Sequence, residues 1–260
     1  MKIKRFLVVV MALAVANASF AWGPKGHAVI ADIASHHISD CVAEKVDKVL
    51  MGETMVDVSS WMDGIRKIPK YEHTYTWHFV NVDEGYTYET MPKEPKGDVY
   101  TQLNHVVEQL KSGTLSAEDQ RDYLRYLIHM VGDMHCPMHA GHRSDLGGNT
   151  VPVKWFGAPT NLHSIWDSKL VDSCRPWSYS EWTANIDRNL TKEDIARIID
   201  PSIRQWMQET LDLCPKIYAD TPAEGNYSYD YCDKYTPVVK QQFLKGGLRL
   251  AKLLNEIYGE

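Results

Sequence analysis

The sequence predicts a mainly helical single domain with a few short strands. Most segments repeat apolar residues every three to four positions, the spacing of one helix face. Strand-like alternation is confined to two short runs. The chain has 260 residues, 44% of them apolar, and no visible internal repeat, which suits one large core.

The elements follow in chain order. Lys2, Lys4 and Arg5 precede an apolar run from Phe6 to Ala16, and Ser19-Phe20-Ala21 places small residues at −3 and −1 of a cut before Trp22. This is a secretory leader over 1–21. The run is shorter than the ~20 residues that a membrane span needs. A second cut, after Ala18, also fits the pattern. The mature domain is then 22–260, exported to a periplasm or secreted, with no membrane anchor.

Ala28–Ile38 and Cys41–Met51 read as two short amphipathic helices. Trp77–Val82 alternates like a strand, and Thr87–Lys96 is irregular. Val99, Leu103, Val106, Val107 and Leu110 share a helix face. Ser116-Ala-Glu-Asp119 is a capping-box-like start for a helix that should stop near Pro137. Ala140–Asn149 is irregular, and Thr150–Phe156 is a second strand. Thr191 to Asp194 and Thr236-Pro237 are helix starts, and Leu244–Ile257 is a long C-terminal helix.

The formal charge is −6, and loss of 1–21 would make it three units more negative. That argues against a broad basic face for nucleic acid. The five cysteines are Cys41, Cys136, Cys174, Cys214 and Cys232. Export permits disulfides, the odd count leaves at least one thiol without a partner in the chain, and the pairing is not legible.

The chemistry lies in how histidine and aspartate group. His129 and Asp133 stand at i and i+4, one turn apart on a helix face, and His139 follows a Pro137 break. His163 and Asp167 repeat the pairing. Asp63 and His78 add weaker candidates. Histidine and carboxylate donors without a CxxC pair suit zinc in a hydrolytic centre. A cut before Trp22 would add a free α-amino nitrogen, chelating together with its own carbonyl.

Taken in order, the pieces are specific. They are Trp22-Gly-x-x-Gly-His27, Ser60-Trp-x-Asp63, His78-Phe79, His129-x-x-Gly-Asp133-Met-x-x-Pro-x-His139, Gly147-Gly-Asn149, Asn161-Leu-His-Ser-x-Trp-Asp167 and Lys245-Gly-Gly-x-Arg-Leu-Ala-x-x-x-Asn-Glu-Ile257. Over nearly the whole mature chain the sequence resembles the single-strand-preferring zinc nucleases typified by the fungal nucleases P1 and S1, which share a superfamily and fold with bacterial zinc phospholipase C.

The resemblance implies three Zn²⁺. One would be held by Asp63, His78, His129 and Asp133, and a second by His139, His163 and Asp167. The third would take the amino nitrogen and carbonyl of Trp22, with His27 and a bridging Asp133. It also implies an endonuclease that yields 5′-phosphate products from single-stranded DNA and RNA, with 3′-nucleotidase activity as an open addition. Asp63 would orient the attacking water, and Arg66 would face the charge of the transition state. Phe79 would stack a base and Leu146 would wall its pocket, while Asn161 would position a phosphate oxygen or a ligand. The phosphate would thus be held by metal charge rather than by a basic surface.

Two departures stand out. Asn81 occupies a position that is Asp in the fungal pattern, where it contacts the base. Cys136 has no counterpart as a ligand in the family, so no metal role is expected for it. The remaining histidines match no ligand position. The alternative function, a zinc phospholipase C acting on a lipid head group, is opposed by Asp167, where that enzyme type has Glu, and by the short spacing from Trp22 to His27. A non-catalytic zinc module is opposed by the full set of ligand residues together with Arg66.

Overall fold

The computed structural model describes residues 22–259, so the leader expected over 1–21 lies outside the described residues. The chain opens with α1 (Pro24–His36) and α2 (Asp40–Leu50), close to the two expected amphipathic stretches. Pro24 starts α1 where an N–H would lack a partner anyway. Two short helices, α3 (Met55–Val58) and α4 (Trp61–Ile65), lead into a 3₁₀ stretch, Pro69–His78.

Next come α5 (Val99–Ser112) and α6 (Ala117–Met134), which pack on each other. Ser116 caps α6 by accepting the Asp119 N–H at 3.1 Å, as its sequence suggests. Helix α6 ends before Pro137, which begins the 3₁₀ turn Pro137–Ala140.

Among the described residues there is one small sheet, with the order β2-β1-β3. Strands β1 (Pro152–Trp155) and β2 (Ala158–Asn161) form a hairpin that pairs Pro152 with Asn161 and Trp155 with Ala158. Strand β3 (Asn226–Tyr227) lies parallel to β1. Between β2 and β3 run α7 (Leu162–Ser164), a π-helical turn Ile165–Lys169, α8 (Leu170–Ser173), α9 (Tyr179–Ile186), α10 (Lys192–Ile199), α11 (Ile203–Leu211) and α12 (Cys214–Asp220). The thirty-residue α13 (Tyr229–Tyr258) closes the chain.

Two expectations need correction. Trp77–Val82 is not a strand: Trp77 and His78 end the 3₁₀ stretch. Residues 79–82 do run extended, but their N–H groups are taken by a turn rather than by a strand. Val80 donates to His139 O at 2.7 Å and Val82 to Gly141 O at 2.9 Å. Thr236-Pro237 does not start a helix either, because Pro237 lies inside α13. Tyr231, Cys232 and Tyr235 are buried on the turns before it, and the Cys174–Cys232 disulfide ties the same turns to the chain beyond α8. Packing there outweighs the hydrogen bond that Pro237 cannot make.

Helix α13 is the spine of the core. It packs on α1 where Gly246 and Gly247 meet Ile30 and Ile33. Its buried Arg249 donates two bonds to Glu209 (2.9 and 2.8 Å), one to His135 Nε2 (3.0 Å) and one to Ile198 O (3.0 Å). Lys245 reaches the same Glu209, and Asn255 bonds the α1–α2 junction through His37 O and the Ser39 N–H. The C-terminal motif is therefore structural: it holds α1 and α11 in place beneath the site.

Gly247 tests that packing. A Cβ there would stand 2.5 Å from Ile33 Cβ. Gly247→Ala gains about 1 kcal/mol of helix propensity against an overpacking cost of about 1–3 kcal/mol. The expected net effect is destabilisation of about 1–2 kcal/mol, read as a lower urea midpoint. An unchanged or higher midpoint would contradict the close α1–α13 contact.

Candidate metal centre

Seven elements deliver the expected donors to one buried region. Helix α1 carries His27 and α4 carries Asp63, while the first 3₁₀ stretch ends on His78. Helix α6 carries His129 and Asp133, and the second 3₁₀ turn carries His139. His163 is on α7, and Asp167 is on the π-helical turn. All eight side chains are buried. So many titratable groups out of water are costly unless something compensates their charge and lone pairs.

The centre is built around Asp133. Its Oδ2 lies 2.9 Å from His78 Nδ1 and 3.2 Å from His129 Nε2, and its Oδ1 lies 3.3 Å from His27 Nε2. His78 Nδ1 and His129 Nε2 are 3.1 Å apart. Asp63 Oδ1 stands 3.9 and 3.7 Å from the same two nitrogens. A tetrahedral site with bonds near 2.0 Å has donor–donor edges of about 3.3 Å. The donors therefore already sit at the spacing that a common ion would impose.

The hydrogen bonds of the rings set which nitrogen is presented. His129 Nδ1 faces Ser59 O at 2.8 Å, His139 Nδ1 faces His78 O at 2.5 Å, and His163 Nδ1 faces Gly147 O at 2.7 Å. An N–H spent on a carbonyl leaves the opposite nitrogen with its lone pair, the arrangement usual for metal-bound histidine. His27 Nε2, His139 Nε2 and both Asp63 carboxylate oxygens are buried without a hydrogen-bond partner. Such atoms are rare in folded proteins, and their donor chemistry fits a cation.

Among the described residues, three groups could each hold a metal ion. They are His27 with His129 and Asp133, Asp63 with His78 and His129, and Cys136 with His139 and Asp167. In the last group the thiol stands where His163 was expected. His163 is close by, its ring centroid 5.1 Å from that of His139. Trp22 is fully buried, its indole edge-on to Phe243, and the next residue, Gly23, donates its N–H to Asp167 O at 2.6 Å. The start of the described chain is thereby tied to the metal-ligand region.

Gly132 stands in the His129-x-x-Gly-Asp133 motif, but its packing role is visible only in the structure. His27 stacks on His129 at 4.0 Å, and a Cβ on residue 132 would meet His27 Nδ1 at 2.6 Å. A glycine three residues after a ligand histidine, hence on its helix face, was the available signal. Cys136, for which the resemblance gives no metal role, stands at Cys136-x-x-His139, itself a ligand-type spacing.

The rim residues are spread more widely. Arg66 Nη2 is 3.4 Å from Asp63 Oδ1. Phe79 is half-buried, with the exposed Tyr75 ring edge-on at 6.3 Å. Asn81 Oδ1 is buried beside Gly147. Leu146 is 60% exposed, so it stands out as an apolar side chain on the loop before Gly147. Asn161 caps α7: its Oδ1 accepts the Ser164 N–H at 2.7 Å, which fixes the turn carrying His163. Of the other histidines, His36 and His37 face Asp187, and His135 belongs to the Arg249 network.

Burial and mutual repulsion set the charge states. Burial, with the neighbouring His129, holds His27 below its ordinary value. Burial likewise lowers His78, and it takes His139 down to about 3. His129 is the exception. Burial opposes its charge, but Asp133 and Asp63 push it up to about 9. Asp133 is raised by burial and lowered more strongly by His129 and His139, so it stays ionised. At neutral pH the centre thus offers neutral imidazoles and a carboxylate, and one proton on His129 for a cation to displace.

Comparison with known proteins points to one family. A family model described as S1/P1 Nuclease matches residues 22–259. Endonuclease 2 of Arabidopsis thaliana is 29% identical over 92% of this chain and 91% of its own. Nuclease P1 of Penicillium citrinum is 25% identical over 92% of this chain and 98% of its own. Nuclease S1 of Aspergillus oryzae is 24% identical over 94% of each chain.

Metal-free protein should be least stable in acid. The lowered values of His27, His78 and His139 mean that the unfolded chain binds more protons as pH falls through 6.5, so stability is lost there. His129 acts oppositely: its contribution is full below 6.5 and is lost as pH rises through about 9. Urea midpoints in chelator should fall on both sides of roughly pH 6.5. A midpoint that climbs steadily on acidification would contradict these protonation states. Gly132→Ala should bind fewer ions per chain than wild type at unchanged helical circular dichroism, since its methyl displaces His27. Wild-type metal content in this variant would remove His27 from the centre.

Proposed function

The chain belongs to the S1/P1 nuclease family, and we propose that it is an exported, zinc-dependent endonuclease of single-stranded DNA and RNA. It is a nuclease, a hydrolase of phosphodiester bonds, on the strength of that family and its relatives. Beyond that, we assign it 5′-phosphate products and three Zn²⁺ per chain.

One observation carries the zinc assignment. The two oxygens of Asp133 face different donor sets, His27 on one side and His78 with His129 on the other. That suits a carboxylate bridging two ions. The ligands assigned are Asp63, His78, His129 and Asp133 for one ion, and His139, His163 and Asp167 for the second. The third takes His27, Asp133 and the Trp22 amino nitrogen and carbonyl. Nitrogen and carboxylate donors at tetrahedral spacing favour zinc over magnesium or calcium.

Bound zinc would supply water activation near neutral pH and neutralise charge on the phosphate. The chain's own residues do the rest. Asp63, with both oxygens free of hydrogen bonds, orients the attacking water. Arg66 beside it directs its guanidinium at the charge that builds on the phosphoryl oxygens. Phe79 stacks an unpaired base against the apolar wall of Leu146, and Asn81 contacts its edge. A base must leave its duplex to reach that ring, which selects single strands. Asn161 acts through the α7 cap, as a positioning residue for His163.

Export is proposed with cleavage before Trp22, the residue at which the family match begins. The Cys174–Cys232 disulfide fits an oxidising compartment. No helix among the described residues is long and apolar enough to cross a membrane.

Protein beginning at Trp22 should cleave a single-stranded oligonucleotide to 5′-phosphate ends and stop when chelated. Cleavage that persists in chelator would remove the zinc assignment. Asp133→Ala should lose more than one of three zincs, counted by atomic emission, and full metal content would end the bridging role. Arg66→Met should lower kcat by about 10²–10³, the scale for losing one transition-state donor, with metal content unchanged. A kcat near wild type would make Arg66 a bystander.

A further inference from the structure

Cys136 is buried on the turn between Asp133 and His139, and its thiol is the one cysteine sulfur grouped with metal-type donors among the described residues. The other buried free cysteine behaves differently. Cys214 Sγ donates to Pro137 O at 3.2 Å and Ala140 O at 3.3 Å, the role of a protonated thiol. Cys136 Sγ sits instead within 4.8 Å of a donor atom of His139 and a carboxylate oxygen of Asp167.

A second observation points to a cation at the same place. His139 donates its Nδ1–H to His78 O, and its Nε2 is left buried with no hydrogen-bond partner. The lone pair of that nitrogen has nothing to meet except what the neighbouring donors would hold.

We propose that Cys136 is a metal ligand in this chain, its Sγ joining His139 and Asp167, all buried and within 4.8 Å of one another, to hold the second ion. This rests on the metal-dependent reading of the same centre and adds a donor to it. Zinc takes thiolate sulfur readily, at bonds near 2.3 Å. With His163 the set becomes two histidines, a carboxylate and a thiolate. A thiolate among its donors makes the second ion the most firmly held of the cluster. It should leave last under chelation.

Cobalt substitution reads this directly, because a thiolate bound to Co²⁺ gives a near-ultraviolet charge-transfer band that nitrogen and oxygen donors do not. Wild-type protein stripped of metal and reloaded with Co²⁺ should show the band. Cys136→Ser should lose it, and Cys41→Ser, which alters an exposed thiol, should keep it. In zinc-loaded Cys136→Ser the slowest ion to leave in chelator should be released at least about tenfold faster. A fully loaded wild type without the band overturns the assignment whatever the variants do, and leaves the zinc reading intact. A band that survives in Cys136→Ser assigns the thiolate to another cysteine and also overturns it. Failure to load any metal would overturn both together.

Discussion

The structure depends on the burial of Asp133. A carboxylate held away from water needs its charge met on every side, and here three imidazoles meet it: His27 on one oxygen, His78 and His129 on the other. Each imidazole arrives from a different element, so this one side chain fixes how α1, the first 3₁₀ stretch and α6 approach each other. Protons can satisfy that charge only in part, since His129 alone is pushed toward its charged form while the other rings are held neutral. The centre is consequently organised for cations and is frustrated without them, which is a common way for a functional site to depart from the rules of a core.

The rest of the fold serves that approach. Glycine at position 132 lets α1 come close enough for His27 to lie on His129, and the small residues of α13 support α1 from behind. The Arg249–Glu209 network locks α13 to α11, and the same arginine reaches His135 at the end of the ligand helix α6. Backbone carbonyls of Ser59, His78 and Gly147 orient three of the ligand rings. Much of the motif spacing thus supports the ligands from behind rather than supplying chemistry.

This explains what the sequence revealed and what it hid. Helices were legible wherever local signals agreed with packing: Ser116 before α6 and Thr191 before α10 are caps that act within four residues. They failed where packing overrode the local signal, as at Pro237 inside α13 and at Trp77–Val82, whose backbone partners lie on a turn sixty residues away. The i,i+4 histidine–aspartate pairs were visible because one helix face carries both. The division of donors into groups was not, because His27, Asp63 and His78 reach Asp133 only through tertiary contacts. Cys136 shows the limit of arguing from resemblance: a position without a ligand counterpart elsewhere was set aside, and only the geometry put its sulfur beside His139 and Asp167.

The acidic balance of the chain then makes sense for an enzyme acting on a polyanion. The formal charge of −6 repels phosphate over most of the surface. With Asp63, Asp133 and Asp167 as the carboxylates of the centre, three divalent ions would leave a net positive site set in a negative body. Field lines from such a site converge on its mouth, so the phosphate is drawn to the metals rather than spread along a basic groove. On the proposed reading, affinity would come from a few short contacts and a stacked base, not from the release of many counterions. Salt should weaken binding less than it does for proteins that track the backbone with lysine and arginine. On the proposed reading, the same logic would favour a strand end or an unpaired stretch, where one phosphate and one base can enter together, over a duplex whose charge is distributed and whose bases are stacked away.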